Sequence, residues 1–73
     1  MAKRKAEAVY RVTEVIGTSS ESWEDAARVA VKAASKSLRD LRIAEVTKLD
    51  VKVENGKVVA FRTRIALSFK YGA

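Results

Sequence analysis

A chain of 73 residues with no His, Cys or Pro and a formal charge of +6 is one small domain. It has no disulfides, no thiolate or imidazole metal ligands and no His-activated nucleophile, so it does not read as an enzyme. A domain this size buries only about 60–65% of the surface its unfolded chain exposes, so self-association is expected to complete its core.

No apolar run approaches the roughly 20 residues that span a bilayer, and no signal-peptide core follows the basic start. The chain therefore reads as cytoplasmic, with no membrane partner. Lys3, Arg4 and Lys5 lie in residues 1–7, which are expected to form a frayed basic tail ahead of one domain over 8–73. Without those three residues the excess is only +3, with 12 basic against 9 acidic residues.

Residues 8–16, rich in β-branched and aromatic types, predict a first strand, broken by Gly17-Thr18-Ser19-Ser20. Ser22 then offers a hydroxyl cap for the amide of Asp25, and Glu24 and Asp25 put negative charge at the positive end of a helix. Trp23, Ala27, Ala30, Val31, Ala34, Leu38 and Leu41 recur at spacings of three and four, predicting a helix to Arg39 or Asp40 with Trp23 on its core side. The alanines in the middle of that face allow a close approach to a sheet but add little buried area.

Two long strands are predicted over 42–54 and 58–71. Leu49, Val51 and Val53 share one face of the former; Val59, Phe61, Ile65, Leu67, Phe69 and Tyr71 share one face of the latter. These positions are all odd. A two-residue Asn55-Gly56 turn would pair odd with even positions and separate the apolar faces. The parity therefore predicts a three-residue loop of Glu54, Asn55 and Gly56, with Gly56 left-handed, Val51 facing Val59 and Leu49 facing Phe61. The fold class is α+β, in the order β-α-β-β, with three antiparallel strands packed on one helix.

Several pieces carry a family resemblance across residues 8–71. They are Val9-Tyr10-Arg11-Val12, Glu14-Val15-Ile16-Gly17-Thr18-Ser19, the alanine-rich helix with Leu38-Arg39-Asp40-Leu41, Glu45-Val46, Asn55-Gly56-Lys57 and Ser68-Phe69-Lys70. In this order and spacing they resemble the dodecins, which assemble as hollow homododecamers. The resemblance implies a non-enzymatic shell that binds, stores or buffers a small ligand. In flavin-binding members a Trp at the start of the second strand stacks on the isoalloxazine ring, and a Gln early in the third strand bonds the ring edge. Here Ile43 stands at the Trp position and Arg62 at the Gln position, while Glu45 matches.

Stacking contributes about 1–3 kcal/mol per ring by analogy with nucleobases, and Ile cannot supply it. Arg offers donors only, where Gln offers a donor and an acceptor. Flavin is thus disfavoured, and the chain is more similar to a dodecin branch associated with calcium. Calcium requires oxygen ligands, and Glu14, Glu45 and Asp50 are the candidates, gathered from several subunits at a symmetry axis.

Lys48, Lys52, Arg62 and Arg64 lie on the non-core side of the hairpin, a face that favours anions such as the phosphates of a flavin nucleotide or coenzyme A. Genuine flavin storage is the alternative reading. A nucleic-acid partner is a weaker one, because the charge excess is small and most aromatic residues have core positions.

Overall fold

A computed structural model of the chain describes residues 8–70, so the basic tail of residues 1–7 and the expected face position of Tyr71 lie outside the described residues. Its elements are β1 (Tyr10–Ser19), α1 (Trp23–Ala34), β2 (Leu41–Glu54) and β3 (Lys57–Lys70). The sheet is antiparallel with the order β1-β3-β2, so β3 is central. The predicted fold class is the observed one.

Ser22 caps α1 as its position implies: its Oγ accepts from the Asp25 amide at 2.9 Å. Ser19 Oγ donates to Asp25 Oδ2 at 2.7 Å and accepts from the Glu21 amide, tying the end of β1 to the helix start. β1 thus runs through Gly17-Thr18-Ser19 rather than stopping at 16, because each of these residues has a ladder partner on β3.

The helix is shorter than its apolar periodicity predicts, ending at Ala34 instead of Arg39 or Asp40. Ser35 Oγ donates back to the Lys32 carbonyl, and the Lys36 and Ser37 amides turn to carbonyls only three residues back. Asp40, at φ 55°, reverses the chain into β2. Leu38 and Leu41 still pack on the core, from the connection and from β2 rather than from a helix face.

The Asn55-Gly56 turn has two residues, not three. Glu54 pairs with Lys57, and both central residues have positive φ, 53° and 74°. These are the signs of a type I′ turn, whose twist matches the flanking strands. The parity conflict is resolved one step later: Lys52 pairs with Ala60 but Val53 with Val58, leaving Val59 as an extra residue on β3. Below this bulge odd again faces odd, with Val51 opposite Phe61 and Leu49 opposite Thr63, two residues further along β3 than expected.

Two more irregularities leave Thr47 and Arg42 as extra residues on β2. Thr47 Oγ1 donates to the Arg64 carbonyl at 3.2 Å. Ala44 and Val46 therefore join Leu49 and Val51 on the helix side, while Ile43 and Glu45 turn to the outer face.

The core is thin. Among the described residues Ala26, Ala30, Ile65 and Leu67 are its buried apolar members, and only two of them are larger than alanine; Ala66 is buried on the opposite face of β3. Thr63 is fully buried, with its Oγ1 donating to the Trp23 carbonyl at 2.9 Å. Trp23 is half-buried, meeting Phe61 edge-on at a centroid distance of 5.1 Å, in keeping with its expected core side.

Gly17 sets the height of the helix. A Cβ there would collide with the Ala26 carbonyl oxygen and come within 2.8 Å of the Ala30 Cβ. Gly17→Ala is therefore expected to cost about 1–3 kcal/mol, read as a lower urea midpoint, because α1 must lift from β1. An unchanged midpoint would mean that the helix does not lie this close. Gly56→Ala meets no atom within 4 Å and is expected to cost only the left-handed backbone penalty, about 1–2 kcal/mol.

Candidate functional site

Directly paired residues in an antiparallel ladder share a face, so the register builds the outer, helix-free face row by row. Val12, Ser68 and Ile43 form one row. Glu14, Ala66 and Glu45 form the next, then Ile16, Arg64 and Lys48, then Thr18, Arg62 and Asp50; Lys52 follows opposite Ala60. All the residues that the sequence singles out for ligand, anion or cation binding thus lie on one surface. Glu45 reaches it only through the Thr47 bulge.

The charges on this face neutralise one another locally. Arg62 grips Asp50 with a two-pronged contact, Nε to Oδ1 at 2.7 Å and a terminal nitrogen to Oδ2 at 2.9 Å. Arg64 approaches Glu14 at 3.6 Å. Lys52 pairs with Glu54 at 3.4 Å along its own strand. The Asp50 backbone is engaged as well, since the Trp23 indole N–H donates to its carbonyl at 3.0 Å. The helix start, β2 and β3 therefore meet at Asp50.

Glu14, Glu45 and Asp50 do not form one cluster within a chain. Glu14 and Glu45 flank Ala66, roughly 10 Å apart across two strand spacings, and Asp50 lies two rows further on. Among the described residues, no group of three His, Cys, Asp or Glu side chains could hold a metal ion. A calcium ion takes six to eight oxygens, more than any one of these separated carboxylates supplies. Arg62 is engaged by Asp50 through both of its bonded nitrogens. Ile43 is 57% exposed and shares its row with the 61% exposed Val12, making an aliphatic rather than an aromatic surface.

The opposite face bears a trough that the sequence reading missed. Gly17 draws α1 over β1 and β3, leaving the helix-side residues of β2 uncovered. Two adjoining cavities of about 340 Å³ each run between α1 and β2, lined by Trp23, Ala27, Val31, Val46, Leu49 and Ile65 among others. Val46 and Leu49 are about half exposed there. The switch of apolar spacing from Ala44 and Val46 to Leu49 and Val51 was the available sign of an inserted residue.

The hydrogen bonds from Arg62 hold the Asp50 carboxyl below its usual value of 3.8, aided by the charges of Arg62, Arg64 and Lys48. The folded state then binds its proton less readily than the unfolded chain. The ion pair's contribution is complete above the unfolded pKa and fades as pH falls through the lower folded value. The melting-temperature advantage of wild type over Asp50→Asn is expected to hold steady from neutral pH to about 5 and to shrink below 3.8. An advantage that grows in acid would contradict the pairing.

Comparison with known proteins places these features in a family. The Dodecin family model matches residues 9–72. The calcium dodecin of Mycobacterium tuberculosis is 42% identical over 62 residues, covering 85% of this chain and 87% of that protein. The structure of dodecin from Streptomyces coelicolor aligns with a TM-score of 0.84 at 38% identity, covering 93% of this chain and 97% of that one. The crystal structure of the calcium dodecin from M. tuberculosis, described as a calcium-chelating antigen with a novel calcium-binding site, aligns with a TM-score of 0.79 at 40% identity, covering 89% and 93%. With the same strand and helix order, and a family match over nearly its whole length, this chain belongs to the dodecin family.

Proposed function

We propose that this protein is a non-enzymatic dodecin shell of twelve copies that binds or buffers a small ligand or ion and has lost the stacking flavin site. The observation that carries the reading is the pairing of Arg62 with Asp50, together with an exposed Ile43 three rows away on the same face. The family's ring-edge position is held in an internal ion pair, and its stacking position bears a branched aliphatic side chain. Neither group can grip a flat heteroaromatic ring edge and face.

The likeness to calcium dodecin supports an ion as the ligand. Glu14 and Glu45 are the carboxylates this chain would contribute, on the face that also carries Lys48, Lys52 and Arg64. With no three-carboxylate cluster among the described residues, carboxylates from symmetry-related copies would build the calcium cage. The cationic residues of the same surface suit anionic groups on a small ligand, a role that Arg62 and Arg64 can share only by leaving their carboxylate partners.

Native mass spectrometry of freshly purified protein reads assembly and retained ligand together. A colourless species at twelve chain masses, without flavin and with bound mass shifting on calcium addition, is the expected result. A yellow assembly carrying flavin would overturn the lost-site reading, and a monomer would overturn the shell.

A further inference from the structure

The positive excess of the chain is modest, but the fold does not spread it evenly. Lys70, the last residue of β3, pairs with Tyr10 at the start of β1, and its amide donates to the Asp40 carbonyl at 3.2 Å. The end of α1 and its connection to β2 therefore meet the start of β1 and the end of β3 at one end of the protomer. Lys32, Lys36, Arg39, Arg42 and Lys70 are all exposed there. Between Lys32 and Arg42 the only carboxylate is Asp40, and it lies 3.8 Å from Arg42. No carboxylate among the described residues pairs with the side chain of Lys32, Lys36, Arg39 or Lys70.

Most other carboxylates sit well away from this end. Glu24 and Asp25 are in the first turn of α1, and a 12-residue helix is about 18 Å long. That is about twice the roughly 8 Å screening length of physiological salt, so the acidic start of the helix does not neutralise its basic end. Glu54 is at the hairpin, and Asp50 and Glu14 face Arg62 and Arg64 across the sheet. Attraction to the negative end of the helix accounts for Lys32 in its last turn. It does not account for Arg39 and Lys70, which lie beyond the helix.

We propose that this end docks a polyanion, the phosphate backbone of duplex nucleic acid, without regard to base sequence. Lys32, Lys36, Arg39 and Lys70 supply cations with no internal partner, and Tyr10, 44% exposed opposite Lys70, supplies a hydroxyl donor. A lipid surface suits this end less well. Ala30, Val31 and Ala34 pack the apolar stripe of α1 onto its own sheet, so that stripe is not turned outward to enter acyl chains. The surface is complete in one chain, and an assembly repeats it, so one polyanion can engage several copies.

Fluorescence anisotropy with a labelled random-sequence DNA duplex tests this on the full chain, with native mass spectrometry to show that each variant keeps the wild-type assembly. Wild-type binding is expected to weaken roughly fortyfold between about 50 and 200 mM salt, the dependence of about three neutralised phosphates. Lys36→Glu with Arg39→Glu is expected to weaken binding about tenfold and to flatten the logarithmic salt slope by about two. Lys48→Glu with Lys52→Glu makes the same change of charge on the helix-free face and is expected to keep most of the affinity. If either reversal alters the assembly, Lys36→Gln with Arg39→Gln is compared with Lys48→Gln plus Lys52→Gln instead. Equal losses from the two pairs, or no salt-dependent binding by wild type, would overturn the assignment. Binding to phosphatidylserine vesicles without binding to the duplex would overturn nucleic acid as the partner.

Discussion

The close seat of α1 on β1, made by Gly17 beneath Ala26 and Ala30, governs the rest of the protomer. Small residues on both sides bring the helix down onto β1 and β3, where Ile65, Leu67 and Thr63 are sealed completely. A helix held there does not also cover β2. Apolar residues of β2 and of the hairpin arm beyond Phe61, Val46, Leu49, Val53 and Val58 among them, are consequently about half exposed. At roughly 25 cal/mol per Å² of apolar surface, a core of two alanines, one isoleucine and one leucine is small against the entropy of ordering some 60 residues.

The two faces of the sheet divide the work. The helix side supplies the apolar surface that packs within the chain. The outer side supplies charge, arranged so that each arginine sits near a carboxylate. Asp50 links the two, since its side chain belongs to the outer face while its carbonyl accepts the Trp23 indole N–H. A change at Asp50 therefore bears on both the ligand face and the setting of the hairpin.

The sequence made the element order, the Ser22 cap, the core side of Trp23 and the core positions Ile65 and Leu67 of β3 legible, because each has a local cause. Capping needs one hydroxyl three residues from an amide, and a strand in the middle of a sheet shows its pleat directly. The bulges were harder. Odd does meet odd below the hairpin, as the apolar parity requires, but the shift lies one step past the turn rather than in it. Asn55 and Gly56 both accept left-handed backbone, so the turn kept its tight form and the extra residue moved to Val59. At Thr47 the inserted residue carried Glu45 and Ile43 to the outer face, a consequence that no single-strand pattern states. The helix end was overread because Leu38 and Leu41 continue the apolar spacing after the serines have ended the helix. The Arg62–Asp50 grip was invisible because it depends on a register fixed by those bulges.

The account stands on the incompleteness of one chain. Sedimentation velocity across a dilution series down to low micromolar, with circular dichroism on the same samples, tests that most directly. The expected result is a single large species whose dissociation, where it occurs, coincides with loss of the native spectrum. A folded, cooperatively melting single chain at the lowest concentrations would contradict it.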